Sequence, residues 1–247
     1  MDHANESQAA EPLAAMDGVE LFDRGDVAGI RLNRPPVNAV GAPMLRALAR
    51  TAAGIPETAP EARAVVLEAE GPHFCAGADR RGTRVGFAVD DLIPAAEDLQ
   101  TLLEAPLPAV GALHGAAVGT GMLIAATCDI LVIADDAEVW LPEVELGLLG
   151  GAGYAHRLLP PPIVRRMVLL GEHLESGQLL ALGAGVPGGT PEQTRTRAWE
   201  LATQLADRPP PALRAARAVL GTLDVAAADV HRHEMRSVVD LLGDPNR

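Results

Sequence analysis

A chain of 247 residues with 48% hydrophobic content can bury one sizeable core, and 2% aromatics leaves Leu, Val, Ala and Ile to build it. Its net charge of −13 argues against a nucleic-acid surface. All 20 basic residues are Arg, a pattern that fits GC-rich codon bias and excludes a Schiff-base lysine or a Tyr-Lys catalytic pair.

Residues 1–16 read as an acidic, polar, disordered tail, with no basic and apolar leader. Apolar runs at 19–22 and 27–32 flank Asp23-Arg24-Gly25-Asp26, a hairpin signal. A stiff loop through Pro35 and Pro36 leads to a helix over 43–53. AVVLEA at 64–69 predicts a strand, and FCAGAD at 74–79 ends in a turn. A polar, glycine-containing loop over 80–89 precedes a helix over 90–104, with Leu92, Ala96, Leu99 and Leu103 on one face.

Strands over 107–113, 130–134 and 139–141 bracket a short apolar helix over 120–128. Strands alternating with helices from 64 to 141 predict an α/β domain. Further helices are expected over 163–170, 176–182, 191–206, 211–220 and 225–242. Ser176 and Thr190 suit N-caps, and Pro191 suits a first helical position. The Pro209-Pro210-Pro211 run reads as a helix stop and restart. The expected organisation is a tail at 1–16, an α/β core at 17–185 and a helical region at 186–247.

Cys75 and Cys128 both sit in apolar runs, as buried thiols of a reducing compartment do. No run approaches the roughly 18 uninterrupted apolar residues of a membrane span. A cytoplasmic protein without a membrane or nucleic-acid partner and without a metal site is the expectation.

The chemistry concentrates in residues 113–153. Gly115, Gly119 and Gly121 form a turn that opens a helix, where free backbone N–H groups and the helix dipole favour negative charge. Glu143 stands between Pro142 and Val144, and desolvation there raises a carboxyl toward neutrality, as a general acid or base requires. A glycine run after a strand is also a dinucleotide signal. Here it lies mid-chain, its helix is too short for a standard crossover, and the Tyr-x-x-x-Lys pair of short-chain dehydrogenases has no Lys to form it.

Three segments carry a family resemblance. They are FCAGAD preceded by AVVLEAEG, the whole of 106–153, and LNRPPVNAV ending at Val40. They resemble the crotonase, or enoyl-CoA hydratase/isomerase, superfamily, over residues 19–240. The resemblance implies an α/β fold of stacked ββα turns, with an all-helical C-terminal trimerisation region and homotrimers or dimers of trimers. It implies an acyl-CoA thioester substrate, with coenzyme A as part of the substrate and no separate cofactor.

Carried over by motif, the backbone N–H groups of Ala78 and Thr120 form an oxyanion hole, with Thr120 at the middle position of the family's Gly-Gly-Gly. Asn38, Ala39, Ala76, Gly77, Asp79, Gly119 and Leu123 fall at substrate-binding positions. Family hydratases use two glutamates; Glu143 matches the second, and Leu123 occupies the place of the first. A single glutamate implies double-bond isomerisation, since one base can take a proton from one carbon and return it to another. An enoyl-CoA hydratase and a non-catalytic acyl-CoA-binding protein are the alternatives.

Among the remaining polar residues, Asp79 is expected to cap the next helix, Asp129 to bond local backbone and His114 to hold a turn. Glu145 is the alternative carboxylate. Arg80 and Arg81 either meet CoA phosphates or form a solvated pair. Family members carry a further C-terminal helix and basic tail over the adenine end of CoA, where this chain ends at Arg247.

Overall fold

The computed structural model describes residues 11–81 and 86–243. The chain begins with an antiparallel meander, β1 (Ala14–Met16), β2 (Val19–Asp23) and β3 (Val27–Leu32). Helix α1 (Ala42–Thr58) leads to β4 (Ala64–Ala69), and α2 (Leu92–Leu103) leads to β5 (Ala109–Leu113). Then follow β6 (Ala116–Val118), α3 (Thr120–Ala125), β7 (Ile130–Ala134), β8 (Glu138–Trp140), α4 (Ala152–Leu158) and α5 (Pro161–Leu170). The chain closes with β9 (Leu174–Glu175), α6 (Ser176–Ala181), β10 (Val186–Gly189), α7 (Pro191–Ala206) and α8 (Pro210–Gly243).

The large sheet runs β1-β2-β3-β4-β5-β7-β10, parallel from β3 onward. Continuous apolar runs such as AVVLEA and ILVIA suit parallel strands covered on both faces. Alternation divides their side chains. Ala64, Val66, Val110, Ala112 and Val132 point one way, onto Ala198, Ala202 and Ala206 of α7. Val65, Leu67, Leu131 and Ile133 point the other way, into the main core with α1 and α2. The alanines recur every four residues, which puts them on one face of α7 and lets it lie close on the sheet. A second, small sheet, β6-β8-β9, carries the chain past the glycine-rich turn.

The α/β expectation holds. Four details differ. Residues 14–16, expected in a disordered tail, form β1 and pair with β2; residues 1–10 of that tail lie outside the described residues. Residues 186–189, placed at the start of a helical region, form β10 beside β7. Helix α7 covers the sheet, so it belongs to the α/β core. The two helices expected over 211–220 and 225–242 are one, because a lone Gly221 costs only about 1 kcal/mol in a helix and packing against α2 and α4 outweighs it. The loop expected over 80–89 is only partly covered, since residues 82–85 lie outside the described residues.

Arg217 locks α8 to the core. It donates to Leu107 O at 3.1 Å, to Leu103 O at 3.1 Å and to Asp129 Oδ1 at 2.8 Å. Asp129 in turn accepts from the Ala109 amide at 2.7 Å, a bond across to the start of β5 where a local backbone bond was expected. Arg217→Ala leaves a largely buried carboxylate and two carbonyls short of a donor. A loss of about 2 kcal/mol in stability is expected, read by chemical denaturation, and an unchanged midpoint would count against this anchoring role.

Candidate active site

Two backbone turns meet at the site because their strands interlock. Cys75 donates to Ala116 O at 3.1 Å, Val118 donates to Cys75 O at 3.0 Å, and Phe74 donates to His114 O at 3.0 Å. Gly121 has no room for a side chain: an added Cβ would lie 2.2 Å from Cys75 O. The FCAGAD turn and the start of α3 are therefore pressed together backbone to backbone.

The hydrogen bonds around the two turns run past one amide in each. The bridge between Val40 and Ala78 uses Val40 N–H to Gly77 O and Asp79 N–H to Val40 O, both 2.8 Å, so the Ala78 amide stands outside it. Gly119 N–H is engaged by Trp140 O at 3.0 Å. Thr120 follows as the first residue of α3, where helix geometry offers its amide no intrahelical acceptor. Gly119 takes φ +49° and ψ −118°, a conformation that turns the strand abruptly into the helix and is open to glycine.

Both turns border a cavity of about 260 Å³. Its wall includes Ala76, Gly77, Ala78, Gly119, Thr120, Leu123 and Glu143, seven of the ten residues singled out from the sequence. Apolar side chains from α1, α2 and α8 (Leu45, Leu99, Met235 and Val238 among them) supply much of the rest. Among the described lining residues Glu143 is the one carboxylate.

Glu143 follows β8 and Pro142 in a tight turn, where its own carbonyl accepts from Leu146 at 3.1 Å and Leu148 at 2.8 Å. The residue as a whole is half-buried, but its Oε2 is closed off from solvent and without a hydrogen-bond partner among the described residues. Its Oε1 lies against Gly119, where an added Cβ would sit 2.5 Å away. Burial pushes the carboxyl up to about 7; its own amide opposes this and the nearby Glu234 carboxylate adds to it. A carboxyl poised near neutrality thus shares the cavity wall with the Ala78 and Thr120 backbone, whose amides no hydrogen bond engages among the described residues.

The comparisons with known proteins bear directly on this arrangement. The family model described as enoyl-CoA hydratase/isomerase matches residues 23–237. The chain belongs to the enoyl-CoA hydratase/isomerase family. This family member is 30% identical to (7aS)-7a-methyl-1,5-dioxo-2,3,5,6,7,7a-hexahydro-1H-indene-carboxyl-CoA hydrolase of Mycobacterium tuberculosis, over 81% of this chain and 82% of the relative. It is 38% identical to cyclohexa-1,5-dienecarbonyl-CoA hydratase of Thauera aromatica, over 64% of this chain and 58% of that protein. An enoyl-CoA hydratase subunit structure from Geobacillus kaustophilus superposes with a TM-score of 0.78 at 26% identity, covering 93% of this chain and 91% of the other.

Three residues expected at the enoyl-CoA hydratase/isomerase substrate site lie outside the cavity wall. Asn38 is buried and spent on tying its loop to the segment after β4: Nδ2 donates to Glu70 O at 2.8 Å and His73 O at 3.0 Å, and Oδ1 accepts from the Arg34 amide at 2.8 Å. Ala39 accepts from Arg34 Nη1 at 2.5 Å. Asp79 caps no helix; it accepts from the Arg81 amide at 3.2 Å and pairs with Arg34 and Arg81 at 2.7 Å each. Those bonds, Arg81 first, hold its carboxyl well below the usual range. The polar reach of all three goes to fixing the loops that shape the turn.

Of the other candidates, Arg80 lines the cavity while Arg81 closes on Asp79. His114 is buried and meets Gly71 O at 2.9 Å, a turn role. Glu145 lies against Gly171 and is absent from the cavity wall. The sequence reading placed helices over most of α8 but gave them no part in the site. His231, Met235 and Val238 enter the wall at positions i, i+4 and i+7, and that spacing was the available signal.

Proposed function

We propose that this chain moves a carbon–carbon double bond in an acyl-CoA thioester, with Glu143 as the base. The single observation that carries this reading is one carboxylate, Glu143, in the same cavity wall as the Ala78 and Thr120 amides, with apolar Leu123 filling the position of the first hydratase glutamate. The amides of Ala78 and Thr120 bind the thioester oxygen. When Glu143 takes a proton from the carbon next to the thioester, charge develops on that oxygen, and each fixed donor lowers the barrier by about 3 kcal/mol. Cavity walls of Leu, Val and Met exclude water, which strengthens both interactions and protects the enolate.

Ala76, Gly77 and Gly119 bring the substrate to the backbone because they carry little or no side chain. The reaction consumes no cofactor beyond the coenzyme A already attached to the substrate. Buried thiols at Cys75 and Cys128 support work in a reducing cytoplasm, and no helix among the described residues is long and apolar enough to cross a membrane. Exposed Val219, Leu220, Leu223 and Val225 on α8 support assembly into a homotrimer or a dimer of trimers.

A turnover screen of 3-enoyl, 2-enoyl and malonyl-type CoA thioesters tests the reaction. Conversion of 3-enoyl to 2-enoyl is expected to dominate. Water addition to the 2-enoyl thioester without migration would transfer the assignment to the hydratase class, and tight binding of every thioester without turnover would make the chain a binding protein.

A further inference from the structure

Helix α8 places a second titratable side chain in the Glu143 cavity. His231 is 4% exposed and shares the cavity wall with Glu143, Thr120 and Leu123. Its Nδ1 lies 3.0 Å from Glu234 Oε2. Glu234 also accepts from the amides of Gly151 and Ala152, at 3.0 Å each. A carboxylate already committed to two amides offers only acceptor capacity, so Nδ1 carries the hydrogen of the pair. Nε2 has no hydrogen-bond partner among the described residues, and His231 itself lines the cavity. The Tyr154 ring meets the imidazole edge-on at 5.4 Å between centroids and steadies its plane. A buried histidine held at one nitrogen by a fixed carboxylate and open at the other has the geometry of a general acid–base with its orienting partner.

We propose that His231 is the second proton-transfer residue of this site and that Glu234 positions it. The inference rests on the double-bond migration reading and completes it. The Glu143 carboxylate takes the C2 proton of a 3-enoyl thioester; the C2–H electron pair forms C1=C2 and the carbonyl pair moves to oxygen. The imidazolium of His231 then gives its Nε2 proton to C4. The oxygen pair re-forms the carbonyl, C1=C2 shifts to C2=C3, and the former C3=C4 pair takes up the proton. Glu143 ends protonated and His231 neutral, and a proton passed from one to the other through solvent restores both. No oxidant, reductant or co-reactant enters. Two groups reach two carbons without either crossing the face of the enolate, which a lone Glu143 must do.

The test follows a 3-enoyl-CoA dideuterated at C2 in ordinary water, with mass spectrometry of the product and steady-state kinetics. Wild-type product is expected to carry solvent protium at C4. His231→Asn keeps a donor toward Glu234; its kcat is expected to fall about a hundredfold with KM unchanged, and deuterium is expected at C4 in its residual product. Glu234→Gln lowers kcat and leaves KM, whereas a merely structural cap would show in the melting temperature alone. Substantial C2-to-C4 deuterium transfer by the wild type overturns the proposal, and that measurement needs no variant to fold. So does a His231→Asn variant with wild-type kcat. An active Glu143→Gln overturns the parent reading instead; an inactive Glu143→Gln beside a fully active His231→Asn overturns only the role of His231.

Discussion

Glu143→Gln is expected to lower kcat for double-bond migration by about 10³-fold, at the centre of the range for loss of a positioned base. The amide keeps the volume and removes the basic oxygen, so KM is expected to hold. In the wild type, kcat/KM should rise with pH through about 7, where Glu143 loses its proton. The same substitution should stabilise the fold at alkaline pH. An acid raised from 4.5 to about 7 binds its proton more tightly in the folded state than in the unfolded one. Between those two pH values the folded state holds more protons, so stability falls as pH rises, and above about 7 the full penalty is present. The shift corresponds to roughly 3 kcal/mol. A Gln variant escapes it, so its melting temperature should exceed the wild type's at pH 8 and match it near pH 4. Retained turnover would remove Glu143 from the mechanism, and an equal melting temperature at pH 8 would remove the buried-charge account.

Gly121→Ala is expected to damage both fold and activity. The new Cβ would stand 2.2 Å from Cys75 O and 2.9 Å from Cys75 Cβ. Cys75 O cannot retreat freely because it accepts the Val118 amide at 3.0 Å. Forced overpacking of this kind costs about 3 kcal/mol. Separating the two turns also moves the Thr120 amide away from the Ala78 amide, and loss of one such donor costs about 10²-fold in kcat. Gly111→Ala is the control. Its Cβ would meet Leu131 Cδ2 at 2.7 Å and Cys128 Sγ at 2.9 Å, inside the core and outside the cavity wall. It should lose stability while kcat at a temperature where it is folded stays near wild type. Equal kcat losses in the two variants would show that the turn contact has no special part in turnover.

Much of this was legible in the sequence, for reasons that differ by element. Runs such as AVVLEA and ILVIA announce buried parallel strands because both faces of each strand need apolar side chains. Thr190 and Pro191 announce the start of α7 because a cap needs only neighbours, and the structure adds Gln193, whose amide donates to Thr190 Oγ1 at 3.3 Å and whose side chain accepts from the Thr190 amide at 2.9 Å. The short strands β6, β9 and β10 were not legible, since two to four residues of small or mixed character carry no periodicity, and partners distant in sequence decide their pairing.

By itself the sequence determined the parallel-sheet core, the two small-residue turns and the carboxylate in an apolar frame at Glu143, because each is written in residues close along the chain. Tertiary structure decided which polar groups remain available. Asn38 and Asp79 have the right chemistry for a substrate, yet loop carbonyls and two arginines consume it. Glu234 reaches Gly151 across 83 positions and brings His231 with it. Hydrogen-bonding capacity is finite, and a residue's share of it is settled by whichever partners folding delivers, which no local pattern records.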